Sequence, residues 1–373
     1  MILIAGLVAI LGACDPAADG RRRADASSSS PAPSASTKLT EPTPSTNVPT
    51  PDPAQEPDEG THLLFLRGRV IRSFDLDEGV QEPVATLPGG DAVLSVDGTM
   101  AAVVTAAVPT GNDEDFLEYP ELQTVDLASG ARATLGPGFS PLWSASGSLA
   151  YIEPVERRSC DGEACSGRVS VVVAEAGGSP QRMTSPGRWG LLGWAGDRLL
   201  AADQSDLRRT VIVGQDGATA TLAIPPSEIW GASPDGGWLI RAGRRFSTII
   251  ALDESGTSTG RPNDVDLDGA ALGPGTWAPD SSTVAAAAIK AAPGGIPVST
   301  MLTFSTTGSR PGAVPESRGA VGNVIWSPDS SRFAYVQATG PAGGRLTARL
   351  CDLGGACRSA FHWTQGVTLL ALL

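Results

Sequence analysis

WSPDSSRFAYV, residues 326–336, reads as an apolar strand ending in Trp, then a tight turn, then a second apolar strand. In such a turn Pro presets φ, Asp caps its own backbone, and Gly, where it follows, tolerates positive φ. WAPDSSTVAAAA, residues 277–288, is a near copy. Weaker relatives run LSVDGTMAAVV from Leu94, WSASGSLAYI from Trp143, WAGDRLLAA from Trp194 and ASPDGGWLI from Ala232. Aligned on the residue after the Trp position, the six copies fall at 95, 144, 195, 233, 278 and 327. Spacings of 49, 51, 38, 45 and 49 lie near the ~40–45 residues of a four-stranded propeller blade.

A second element is an apolar strand running into an acidic or small turn. It appears as FDLDEG at Phe74, VDLASG at Val125, VAEAGG at Val173, VGQDG at Val213, ALDESG at Ala251, FSTTG at Phe304 and CDLGG at Cys351. Seven copies against six of the first element have a simple reading. The ordered part starts in mid-repeat at HLLFLRGRVIRSFDL and ends in a lone apolar strand, Gly366 to Leu373. If that strand completes the opening blade, the ring closes and an exposed sheet edge disappears. The expected fold is therefore all-β: a β-propeller of seven blades (six as the alternative) closed by pairing of the C-terminal strand with the N-terminal blade.

The repeat at Trp326, with its near copy at Trp277, resembles the WD-like repeats of TolB-type propellers. The resemblance spans residues 61–373 and implies a propeller with a protein- or ligand-binding role and no particular chemistry. The aligned Trp143, Trp194, Trp277 and Trp326 are expected to pack between neighbouring blades, with a ligand-stacking ring as the alternative.

Residues 1–13, MILIAGLVAILGA, carry no charge. The run is too short for the ~20 residues of a membrane-spanning helix and fits a secretory signal. Leu11-Gly12-Ala13-Cys14 resembles the lipobox of bacterial lipoproteins. That resemblance implies cleavage before Cys14, fatty acylation of Cys14, and anchoring at the extracytoplasmic face of the cell membrane. Residues 14–60 are dominated by Ser, Pro, Thr, Ala and Asp, too little apolar surface to offset ordering entropy. They are expected to form a disordered spacer ahead of the propeller domain at 61–373. The triplet Arg21-Arg22-Arg23 near the lipid is expected to be solvated, with head-group contact as the alternative.

With 40 acidic and 27 basic residues the chain carries a net charge of −13, which argues against nucleic acid as a partner. Apart from Cys14 the cysteines fall in two close pairs, Cys160 with Cys165 and Cys351 with Cys357. Each brackets a Gly-containing turn, and an even number in an exported chain favours hairpin disulfides over a zinc site. Asp264, Asp266 and Asp268 followed by Gly269 resemble the opening of a calcium loop, although the twelfth position is Gly275 rather than Glu. The bland alternative is a solvated inter-blade loop. A second acidic run, Asp113 to Glu121 with Phe116 and Tyr119, reads as a long loop of the first full blade.

Two histidines, His62 and His362, leave little room for a histidine triad or a multi-histidine metal site. No nucleophile elbow, phosphate loop or zinc-protease motif occurs, and Ser233-Pro-Asp235-Gly-Gly237 reads as a turn. Apart from the candidate calcium site no cofactor is indicated. The expected function is a membrane-anchored binding or scaffold module of the cell envelope, holding a protein or glycan partner and not acting as an enzyme. The alternative is an extracytoplasmic hydrolase or lyase with acidic residues at the propeller channel.

Overall fold

The computed structural model describes residues 62–373, except 90, 106–107, 110–115, 157, 162–163, 176–177, 243–245, 254–256, 291–297, 307–310, 316, 340–344 and 365–366. Seven four-stranded antiparallel sheets follow one another as blades. Among the described residues the only helical element is a single 3-10 turn, Pro226–Glu228.

Blades 2 to 7 each begin with an innermost strand: Asp91–Leu94, Phe139–Trp143, Trp189–Ala195, Ile229–Ala232, Ala271–Trp277 and Ala320–Trp326. Blade 1 takes its innermost strand from the far end of the chain. Val367–Leu372 pairs antiparallel with His62–Arg67, which is followed by Val70–Asp75 and Gln81–Thr86. The backbones of His62 and Leu373 exchange hydrogen bonds of 2.9 and 2.8 Å. Seven blades closed by the C-terminal strand are thus observed, and the six-blade alternative is excluded.

The second strand of each blade lies between neighbours on both faces, so its apolar run is continuous rather than alternating. Ala101, Ala102 and Val103 in blade 2 are fully buried, as are Ala285 and Ala286 in blade 6 and Phe333, Ala334 and Tyr335 in blade 7. Core clusters accordingly straddle blade boundaries. One joins Leu63, Phe65 and Leu369 of blade 1 to Ala348, Leu350 and Phe361 of blade 7. Each large apolar side chain buried in this way contributes about 2–3 kcal/mol.

Two side chains close the repeated turn. Ser95, Ser233 and Ser327 each donate from Oγ to the aspartate two residues on, at 2.6, 2.5 and 2.5 Å. The same hydroxyl oxygens accept the backbone N–H groups of Met100, Trp238 and Arg332 at 2.9, 2.9 and 3.0 Å. Asp97, Asp235 and Asp329 in turn accept from the amides of Thr99, Gly237 and Ser331. The Ser-x-Asp spacing thus supplies a partner for each polar group that the chain reversal frees.

An eighth sheet was not expected. Insertions between the second and third strands of blades 2 and 3 pair with each other, in the order Ala164–Ser166, Arg158–Asp161, Phe116–Glu118, Val108–Pro109. The acidic run read as a long loop therefore contains the strand Phe116–Glu118, while its residues 113–115 lie outside the described ones.

Candidate functional site

The turns joining first to second strands lie on one face of the propeller, beside the turns joining third to fourth strands. On this face the seven innermost strands enclose a cavity of about 330 Å³. Every blade contributes: Leu370 and Ala371, Leu94 and Val96, Leu142 and Trp143, Trp194, Ala232 and Pro234, Trp277 and Pro279, Ile325 and Trp326. Among the described residues no Asp, Glu, His, Lys or Arg is in its wall. Val96 at its rim is 47% exposed. A volume of this size falls at the low end of small-ligand pockets.

The aligned tryptophans build the wall by binding across blades. Trp143 Nε1 donates to the Val93 carbonyl at 3.0 Å, Trp194 to Leu142 at 3.0 Å and Trp326 to Thr276 at 3.2 Å. In each case the acceptor belongs to the preceding blade. Trp277 and Trp326 are buried, and Trp143 and Trp194 half-buried. Inter-blade packing is the arrangement observed; the rings also reach the cavity they separate. Trp277 Nε1 is the exception among the four, buried without a hydrogen-bond partner.

The same face carries aspartates held charged by their turns. Burial raises the Asp97 carboxyl, but hydrogen bonds from Ser95 and Thr99 outweigh it and hold the group below its ordinary 3.8. Asp329 behaves alike: burial is opposed and overcome by Ser327 and Ser331. Amides of Glu78 and Asp77 hold Asp75 low, and the amide and hydroxyl of Ser129 do so for Asp126. Among the described residues the shifted carboxyls are all shifted downward.

Asp264, Asp266 and Asp268 alternate with Val265 and Leu267, which are buried. The period-two pattern is that of blade 5's outer strand, Ser258–Asp266, with its carboxylates facing solvent. Asp264 accepts from Thr248 Oγ1, Asp266 from the amide of Asp268, and Asp268 pairs with Lys290 at 2.9 Å. The three are not gathered on one centre, and no group of three or more His, Cys, Asp or Glu is placed to hold a metal among the described residues.

Cys351 and Cys357 face each other across the third and fourth strands of blade 7 and form a disulfide. Cys160 and Cys165 are opposite in register within the extra sheet; their side chains lie outside the described residues, as does Cys14. His62 on blade 1 and His362 on blade 7 are bonded to Ser73 and Thr347 respectively.

No protein-family model matches the chain, and no curated protein sequence matches it significantly. Solved structures do. A prolyl endopeptidase aligns over 84% of this chain and 49% of its own, with a TM-score of 0.56 and 12% identity. The periplasmic gluconolactonase PpgL of Pseudomonas aeruginosa aligns over 84% of this chain and 100% of its own, at 0.52 and 13%. These likenesses establish the propeller fold. TolB from Acinetobacter baumannii is also similar, over 83% of this chain and 66% of its own, with a TM-score of 0.45 and 14% identity. The chain thus spans about half the length of the endopeptidase and two thirds of that TolB. An endopeptidase and a lactonase share the architecture, so the fold alone does not assign a chemistry and function is argued from the site. No described helix is long and apolar enough to cross a membrane.

The sequence reading missed the shared cavity. Its signal was present in Val96, Ala145, Pro234 and Pro279, an apolar or small residue directly after the Ser or Ala of each repeat. Turn chemistry explains those residues one at a time; only ring closure sets them around one opening.

Proposed function

We propose that this protein is a binding module of the cell envelope, anchored to the membrane through acylated Cys14, that holds a protein partner at the mouth of its central cavity. The observation that carries the reading is the cavity wall itself. It is apolar and aromatic, is built by all seven blades, and carries no ionisable side chain among the described residues. General acid–base or nucleophilic chemistry needs a titratable group within reach of the substrate, whereas an exposed apolar mouth with a polar rim suits a partner's anchoring side chain. The hydrolase or lyase alternative would have to draw on the turn aspartates at the rim, such as Asp97 and Asp329, rather than on the wall.

The test is affinity capture from envelope extracts with the immobilised full chain and its Val96→Lys variant. The proposal expects a partner retained by the former and lost from the latter. Equal retention by both would place binding elsewhere. For the anchor, Cys14→Ser is expected to abolish fatty-acid labelling and release the chain from the membrane; a variant still labelled would refute lipidation at Cys14.

A further inference from the structure

Charge is unevenly divided between the two faces of the propeller, and the division surrounds the cavity just described. The turns joining first to second strands place Asp97, Asp197, Asp235, Asp280 and Asp329 around the mouth, all exposed. The turns joining third to fourth strands add Asp77, Glu78, Glu175, Asp216 and Asp253 farther out. Among the described residues these turns contain no Lys or Arg.

The nearest cations begin the strands that follow, and several are already engaged. Arg132 donates to the Thr86 carbonyl, Arg198 to the carbonyls of Asp253 and Gly236, and Arg358 approaches Asp77 at 3.7 Å. On the opposite face acids and bases are mixed and paired: Arg168 with Glu156, Arg241 with Glu228, Lys290 with Asp268. Turn hydrogen bonds keep Asp97 and Asp329 ionised through the physiological range.

An apolar socket within a ring of like charge selects its occupant twice. The socket takes an apolar side chain, and the excess of carboxylates in these turns favours positive charge beside it and repels negative charge. Trp277, lining the socket at 5% exposure, leaves an indole N–H without an acceptor in the wall. An anionic lipid surface does not fit this face, because the same carboxylates repel it.

Resting on the binding reading above, we infer that the partner presents a basic segment in which Lys or Arg flanks a large apolar residue, and that the apolar residue enters the central mouth. The experiment uses the detergent-purified full chain on an array of short synthetic peptides, each with a central Trp, Leu or Ala and flanks that are basic, neutral or acidic. The inference expects retention of basic peptides with central Trp or Leu, weakening as salt is raised and lost in Val96→Lys. Retention of Trp and Leu peptides whatever their flanks, still lost in Val96→Lys, overturns the basic partner but leaves the binding reading standing. Basic peptides held equally with central Ala, and equally by Val96→Lys, overturn the insertion into the mouth. Retention of none overturns both readings. Co-sedimentation of the Cys14→Ser chain with phosphatidylglycerol but not phosphatidylcholine vesicles, in place of peptide binding, also overturns the inference.

Discussion

The backbone amide of Asp235 in blade 5 donates to Ser281 Oγ in blade 6 at 3.0 Å. One blade farther on, Asp280 donates to Ser330 Oγ at 3.0 Å. Ser281 and Ser330 occupy the left-handed region, φ 62° and 63°, where Gly236 stands in blade 5 at φ 74°. The Ser-for-Gly exchange in Pro-Asp-Ser turns therefore has a purpose: backbone strain is tolerated so that a hydroxyl can tie one blade to the previous one.

That relationship ranks two substitutions. Ser281→Ala loses the inter-blade bond and keeps the strain, whereas Ser281→Gly loses the bond and relieves it. Denaturant unfolding is expected to show Ala costing about 2 kcal/mol and Gly about 1 kcal/mol less than Ala. The reverse order would show that no strain is stored at Ser281, and a Gly variant as stable as the parent would show that the hydroxyl bond contributes nothing.

Between blades 4 and 5 the turns touch without a hydroxyl. A Cβ on Gly236 would lie 2.6 Å from the Ala195 carbonyl oxygen, while one on Gly130, at a similar φ of 71°, would meet nothing within 4 Å. Gly130→Ala is expected to cost about 1 kcal/mol from backbone strain, and Gly236→Ala at least about 2 kcal/mol more. Equal melting temperatures for the two would contradict the close approach.

Ring closure depends on the last strand. Removing residues 367–373 uncovers the edge of His62–Arg67 and deletes Leu369 and Leu372, which are 2% and 1% exposed. Burial of two leucines alone contributes about 3–6 kcal/mol, a large share of ordinary domain stability. A sharply lowered melting temperature and a tendency to aggregate are expected; an unchanged melt would sink closure by this strand.

These features differ in how legible they were in the sequence. The blades could be read because turn chemistry and strand pattern are local, and the strand spacing of WSPDSSRFAYV needs no distant partner. Closure could be read from the count, seven turns at Phe74 to Cys351 against six at Leu94 to Trp326. The pairing of Arg158–Asp161 with Phe116–Glu118 could not, since two insertions in different blades meet only once the ring exists. The Asp264–Asp268 alternation shows the opposite problem: one spacing serves a calcium loop and an outer strand, and only the burial of Val265 and Leu267 separates them.

The turn aspartates also set an acid limit. A carboxyl whose folded value lies below its unfolded value stabilises the fold above that unfolded value, and the contribution is lost as pH falls through the folded one. For Asp97 and Asp329 burial raises the carboxyl and the Ser and Thr hydrogen bonds overcome it, giving a net lowering from 3.8. Their contribution is therefore expected to be constant from neutrality to near pH 4 and to fall below pH 3.8. The double variant Asp97→Asn, Asp329→Asn should flatten that acid limb in melts taken across pH; a limb of unchanged steepness would assign acid sensitivity to other groups.

The central claim is that the partner sits at the apolar mouth and not on the opposite face. A photo-crosslinking residue placed at Val96, on the rim, or at Leu207, 63% exposed between the second and third strands of blade 4, compares the two faces in intact cells. The account predicts a discrete crosslinked species from position 96 and none from 207. Crosslinking from 207 alone would contradict it.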